Sequence, residues 1–312
     1  MDEFGIIREY FTSPVNRNDV VLGSGDDCAI VDVPAGKQLA ITTDTLVNGV
    51  HFPENTSAFD VGYKSLAVSL SDLAAMGATP AWVTATLTLP KPDKTWLAEF
   101  ARGVFTLAKV HNVQLIGGDL TYGPLSVTVQ AIGLLPKGQG LKRSGARAGD
   151  LIYVTAPLGD AGLALRFLQG KIMVAKEFQE GILKRLNQPE PRVKAGEELL
   201  NIASSAIDLS DGLAGDLKHM LKTSGVGARI FVDKLPLSPA LQQSVSFDEA
   251  IALALSAGDD YELCFTVPKA KIDLMETHDF ICIGEITAEP TCIFQFIDGK
   301  KYHGEPTGFK HF

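Results

Sequence analysis

Apolar and polar residues alternate most regularly over Leu125–Leu135, with Val127, Val129 and Ala131 on one face and Ser126, Thr128 and Gln130 on the other. That period of two predicts a half-buried strand. Helical spacing governs other stretches. Phe4, Ile7, Tyr10 and Phe11 predict a short amphipathic helix, and Leu66, Leu70, Leu73 and Ala74 form the core stripe of one running from Asp60 to Met76, stopped by Gly77. Trp96, Leu97, Phe100, Val104 and Leu107 mark a further helix over Asp93–Lys109. Two short apolar runs, Ala29–Val31 and Leu39–Ile41, flank the turn signal Pro34-Ala35-Gly36 and predict an antiparallel hairpin. Val113–Ile116 predicts a strand ending at Gly117-Gly118-Asp119.

Near Gly149-Asp150 the pattern restarts. Strands are expected at 151–155, up to Asp208, at 228–232 and 264–267, with apolar segments at 280–283 and 292–297. Helices are expected from Gly159 to about Leu168, at 174–186, 192–203 and 247–256, and through Leu213, Leu217 and Leu221. The reading is an α/β chain of two domains, 1–146 and 147–312.

Carboxylates recur where these elements end. Gly25-Asp26-Asp27 opens the first apolar run, and Thr42-Thr43-Asp44 closes the second. In the expected hairpin, Asp26 and Asp27 come beside Asp44 and Thr43. Two carboxylates ~4 Å apart repel by about 4 kcal/mol at an effective dielectric near 20, which calls for a cation or shared protons. Asp72 falls in the last turn of its helix, where the dipole disfavours an anion, on a polar stripe with Ser65 and Ser69. Asp119, Asp208 and the echo Gly258-Asp259-Asp260 complete the set, while Ser210 or Asp211 is placed to cap the next helix. His51 lies in the loop just past Asp44, and Lys142-Arg143-Ser144-Gly145 is a basic turn suited to phosphate.

The net charge of −9 argues against nucleic acid as a general partner, though metal ions can turn an acidic pocket into a phosphate site. The four cysteines, Cys28, Cys264, Cys282 and Cys292, have no C-x-x-C spacing, the first residues show no signal-peptide pattern, and no apolar stretch reaches membrane-spanning length, so a cytoplasmic protein is expected. There is no G-x-x-x-x-G-K-[ST] loop, no G-x-G-x-x-G, no H-E-x-x-H and no G-x-S-x-G. Many Asp motifs with few histidines fit the hard oxygen chemistry of Mg²⁺ better than zinc.

The motifs GSGDDCA at 23–29, TTDTLVNGVHF at 42–52, SLSDLAAMGATPAW at 69–82, LIGGD at 115–119, RSGARAGD at 143–150, AIDLSDGL at 206–213 and GDDYELCF at 258–265 together resemble the thiamine-monophosphate kinase family. Its superfamily includes aminoimidazole ribonucleotide synthetase. The resemblance implies an N-terminal mixed or antiparallel sheet with helices that pairs in a homodimer barrel, and a C-terminal α/β domain completing the active site. It implies direct γ-phosphoryl transfer from ATP to thiamine monophosphate, assisted by several Mg²⁺ ions. By position, Asp27, Thr42, Thr43, Asp44, Asp72, Asp119, Asp208 and Asp211 would hold metal, with Asp27, Asp44, Asp72, Asp119 and Asp208 carrying catalysis and Asp26 behind Asp27. Gly118, Asp119, Arg143 and Ser210 would meet ATP; His51, Asp259 and Phe309 would meet thiamine monophosphate. At 259 the family commonly has Glu, its Thr-Thr-Arg after Gly-Gly-Asp is here Leu120-Thr121-Tyr122, and a C-terminal aromatic aligns with Pro306, leaving Phe309 as its substitute. The alternatives are another ATP-dependent enzyme of the superfamily acting on a different small phosphorylated substrate, and a non-catalytic Mg-nucleotide-binding dimer.

Overall fold

In the computed structural model, residues 3–275 and 278–309 are described. The chain divides into two compact units, Met1–Leu73 with Ala78–Gln139, and Ala74–Gly77 with Gly140–Phe312. Among the described residues no helix is long and apolar enough to cross a membrane.

The first unit contains α1 (Glu3–Tyr10), β1 (Val20–Leu22), β2 (Ile30–Val31), β3 (Lys37–Val47), all but the last two residues of α2 (Ala58–Ala75), β4 (Thr79–Leu89), α3 (Lys94–Val110), β5 (Gln114–Tyr122) and β6 (Ser126–Pro136). Its four-stranded sheet runs β3-β6-β4-β5. β6 is antiparallel to both neighbours, and β4 and β5 are parallel. The alternation expected in β6 is observed, with Val127, Val129 and Ala131 buried. Ser57 rather than Asp60 opens α2: the Asp60 backbone N–H donates to Ser57 Oγ at 3.1 Å, and that hydroxyl donates back to the Asp60 carboxylate at 2.7 Å. Asp93 caps α3 through the Trp96 N–H at 2.8 Å. The two helices cross at reciprocal glycines. A Cβ on Gly62 would lie 2.1 Å from the Phe100 carbonyl oxygen, and one on Gly103 would lie 2.0 Å from that of Phe59.

The expected hairpin is not formed. Its turn exists, with the Lys37 N–H donating to Pro34 O at 3.1 Å, but the strands on either side part company. β2 pairs with β1, while β3 pairs along its whole length with β6, from Lys37↔Pro136 to Val47↔Ser126. An eleven-residue ladder outcompetes the short one that the turn alone would seed. Val20, Ala29 and Val31 pack instead on Trp82 and Ile116. Asp119 is also misplaced by the sequence reading, for β5 continues through its glycines to Tyr122 and leaves Asp119 inside the strand, opposite Thr86.

The second unit contains β7 (Leu151–Val154), α4 (Asp160–Leu168), α5 (Lys176–Asn187), α6 (Val193–Leu199), β8 (Ser205–Asp208), α7 (Leu213–Ser224), β9 (Gly227–Phe231), α8 (Pro239–Ser244), α9 (Phe247–Ser256), β10 (Leu263–Val267), β11 (Ile281–Thr287) and β12 (Cys292–Gln295). Its six-stranded sheet has the order β12-β9-β11-β7-β10-β8. Both faces are covered, which explains the unbroken apolar run of β7. Ile152 and Val154 pack with Leu217 and Leu255, and Tyr153 packs with Leu199 and Phe265.

Candidate functional site

On the first unit, strand alternation turns Thr42 and Asp44 toward α2 and leaves Thr43 and Thr45 exposed. The polar stripe of α2 meets them there. Ser69 Oγ donates to Asp44 Oδ2 at 2.9 Å, and Thr42 Oγ1 donates to Asp72. Burial, with the Asp72 charge added, pushes the Asp44 carboxyl up to about 6, and the Ser69 bond offsets this only partly. No Lys or Arg among the described residues pairs with either carboxylate. Thr43 does not join this cluster; its hydroxyl accepts from Gln130 Nε2 at 3.5 Å on the other face. His51 stands just beyond β3, where its Nδ1 accepts the Val47 N–H at 3.0 Å. That bond leaves the imidazole proton on Nε2.

A second feature of the same unit is a cavity of about 470 Å³, lined on one side by Asp26, Asp27, Gly118 and Asp119, and on the other by apolar groups including Phe11 and Phe100. Asp27 and Asp119 are thus brought together by the 24–29 loop lying against β5, not by a hairpin with Asp44. Asp26 Oδ1 accepts the Asp27 N–H at 2.8 Å and shapes that loop. Gly118 is required where β5 approaches β4, because a Cβ there would sit 1.9 Å from the Ala85 carbonyl oxygen. Register puts Asp44, Val129, Ala85 and Gly118 in one row across the sheet. Three strand spacings separate the ends of that row, roughly 14 Å. That spacing keeps Asp44 apart from the cavity, and no three His, Cys, Asp or Glu side chains among the described residues form a ready metal cluster.

On the second unit, two turns lie side by side. Asp208, buried at the end of β8, faces Leu263 at the start of β10. The loop after Asp208 holds exposed Ser210 and half-buried Asp211. Neither caps α7, whose N-cap is Gly212 without a side-chain bond. The backbone N–H groups of Asp259 and Tyr261 donate to the carbonyl oxygens of Ser210 and Leu209, at 2.9 and 2.8 Å. Tyr261 Oη donates to Asp259 Oδ1 at 3.1 Å. The tail also reaches this loop: the Phe309 N–H donates to Asp211 O at 3.0 Å, and its ring is half exposed. Pro306 precedes it in the same tail.

Sequence reasoning missed Asp216. It is buried in α7 and accepts the Asp211 N–H at 3.0 Å. Burial and the Asp211 charge push its carboxyl up to about 7, while the Arg143 charge acts the other way. The signal was available: Asp216 sits beside Leu217 and three residues after Leu213, on the helix face that must be buried. The basic turn at Arg143 is exposed, as a phosphate contact requires, and is braced by the Gly145 N–H donating to Ser224 Oγ at 3.2 Å.

Comparison with known proteins agrees with these two units. Residues 25–135 match the family model for the N-terminal domain of AIR synthase related proteins, and residues 147–296 match the one for the C-terminal domain. The chain is 46% identical to the thiamine-monophosphate kinases of Salmonella typhimurium and of Escherichia coli K12, over 99% of this chain and 98% of each relative. The crystal structure of thiamine-monophosphate kinase from Stenotrophomonas maltophilia is 43% identical and superposes with a TM-score of 0.88, covering 97% of this chain and 98% of that one. The structure of AaThiL complexed with AMPPCP and TMP is 31% identical, with a TM-score of 0.80 over 99% of this chain and 97% of that one.

Proposed function

The chain belongs to the thiamine-monophosphate kinase family, and from that premise we propose that it transfers the γ-phosphoryl group of ATP to thiamine monophosphate, giving thiamine diphosphate and ADP. The observation that carries the chemistry is the Asp44–Asp72 pair, two neighbouring carboxylates bonded to hydroxyls and given no Lys or Arg partner among the described residues. Such a pair fits a hard divalent ion, and Mg²⁺ is the proposed metal. Asp44 and Asp72 with the Thr42 hydroxyl are its ligands at one position, with the Thr43 backbone beside them; Asp27 and Asp119 are ligands at the cavity, and Asp208 and Asp211 on the second unit. When bound, the metal neutralises phosphate charge.

The chain's own residues do the rest. The cavity beside Gly118 and Asp119 falls within the usual size range of small-ligand sites, roughly 300–1,000 Å³, and its apolar wall suits a nucleoside. The flat backbone at Gly118 lets phosphate oxygens approach. Arg143 and Ser210 are further proposed nucleotide contacts. Thiamine monophosphate carries cationic rings, and Asp259 is the carboxylate proposed to face them, with Phe309 supplying an aromatic surface and His51 a donor at Nε2. No side chain acts as a nucleophile, so the transfer is a single displacement between phosphates whose rate comes from positioning and charge neutralisation.

The protein is further proposed to act as a cytoplasmic homodimer. All four cysteines are free thiols, in keeping with a reducing compartment. β3 is an eleven-residue edge strand whose outward face exposes Leu39 and Ile41, and long apolar edges are pairing surfaces. A second copy of the same strand is the proposed occupant. The deciding assay supplies ATP, Mg²⁺ and thiamine monophosphate, with thiamine and EDTA as controls. Thiamine diphosphate and ADP are expected, only with metal and only from the monophosphate. Turnover of thiamine itself, or undiminished turnover in EDTA, is incompatible with the proposal.

A further inference from the structure

Glu262 is fully buried on the second unit, yet four donated bonds converge on its carboxylate. Arg185 Nη2 and Arg192 Nη2 both donate to Oε1 at 2.7 Å, Arg192 Nε donates to Oε2 at 2.7 Å, and the Thr155 hydroxyl also donates to Oε2. Thr155 Oγ1 accepts the Leu263 N–H at 2.9 Å, and Glu262 O accepts the Leu209 N–H at 2.8 Å. Two residues earlier, buried Asp260 accepts the Gly159 N–H on both oxygens, at 2.9 and 3.2 Å. The turn held by these anchors is unusual. Asp259 and Tyr261 have φ of 61° and 51°, in the left-handed region that side chains other than glycine disfavour. A backbone in that region persists only where its surroundings hold it there. Here the hold is Glu262 and Asp260 on one side, and the Ser210 and Leu209 carbonyl oxygens on the other.

We propose that Glu262 is a positioning residue for Asp259, acting through the left-handed turn that it anchors, and that it sets affinity for thiamine monophosphate rather than the rate of phosphoryl transfer. The proposal rests on the reading that Asp259 meets that substrate. A merely structural Glu262 would lower stability without selecting one kinetic constant, so the test is a double-mutant cycle read in KM.

The full chain is made with Asp259→Asn, with Glu262→Gln and with both, and a milder Thr155→Val is made alone and with Asp259→Asn. Folding is checked by circular dichroism. Asp259→Asn and Glu262→Gln are each expected to raise KM for thiamine monophosphate ~10-fold with kcat within ~3-fold, and the double variant should lie within ~2-fold of Asp259→Asn. Thr155→Val should raise KM ~3-fold, again only when Asp259 is present. If Asp259→Asn raises KM while folded Glu262→Gln and Thr155→Val leave it unchanged, the positioning role is overturned and the substrate reading stands. Equal effects of Glu262→Gln with and without Asp259 also overturn it. Unchanged KM in Asp259→Asn sinks both. Should Glu262→Gln not fold, the Thr155→Val pair makes the same decision.

Discussion

Two acidic sites in this molecule solve the problem of a sequestered carboxylate in opposite ways. Glu262 is surrounded by guanidinium groups and a hydroxyl, so its charge is answered inside the protein. Among the described residues, Asp44 and Asp72 receive only hydroxyl donors and face each other, so theirs is not. The first arrangement is complete as it stands. The second is stable only with a proton or an outside cation, the role given to Mg²⁺ in the proposed function. Burial alone would not have separated them; the identity of the partners does.

The contrast is easiest to break at the Asp44–Asp72 pair. Asp44→Asn and Asp72→Asn are each expected to cut kcat by ~10³-fold or more, because charge neutralisation by the bound metal is the principal catalytic device in the proposed mechanism. The metal-free Asp44→Asn protein should nevertheless melt higher than the parent, since the repulsion is gone. Steady-state product formation and thermal unfolding in EDTA check the two halves. At the other site the signs reverse: Glu262→Ala should lose about 3–5 kcal/mol in a urea titration, the usual penalty for orphaning a buried charge partner.

Acidity sharpens the difference. Burial and Asp72 raise the folded-state Asp44 to about 6. A raised carboxyl binds its proton more tightly in the folded chain, so its contribution is present at low pH and is lost as pH rises through the folded value. For Asp44 that amounts to roughly 3 kcal/mol lost between about pH 4 and 7 in metal-free protein. Subtracting the Asp44→Asn stability curve from that of the parent isolates it, and a difference that grows in the parent's favour with rising pH would contradict the assignment. Gly118→Ala should cost about 1–3 kcal/mol, because β5 must retreat from the Ala85 oxygen, and should weaken ATP more than thiamine monophosphate in initial-rate measurements. The smallest stability effect is expected from Thr42→Val, about 1 kcal/mol for one lost bond, read by urea titration of the metal-free protein in EDTA.

Much of this was legible in the sequence because it is local. The Phe247–Ser256 helix lies where its spacing put it, the alternation of β6 gave its buried face, and the Ser65-Ser69-Asp72 stripe pointed to the helix that meets Asp44. What failed was pairing. Pro34-Ala35-Gly36 is a true turn, but a turn says nothing about a better partner ninety or so positions away, and β6 was that partner for β3. Asp27 therefore reached Asp119 rather than Asp44, although all three had been picked out. Asp119 was misplaced for a related reason. Two glycines usually end a strand, yet here the close approach to Ala85 is what requires one of them. The left-handed turn at Asp259 and Tyr261 left no trace in residue type, since neither is a glycine.

The bond from the Val47 N–H to His51 Nδ1 gives the molecule a built-in reporter. An imidazole locked in one tautomer shows two well-separated nitrogen resonances, one pyridine-like and one pyrrole-like, instead of an average. Labelling the histidine nitrogens would let that pair of signals be followed as thiamine monophosphate is added, with no catalysis and no second substrate. The pyrrole-like signal should move first, because Nε2 carries the proton that a phosphate oxygen would accept.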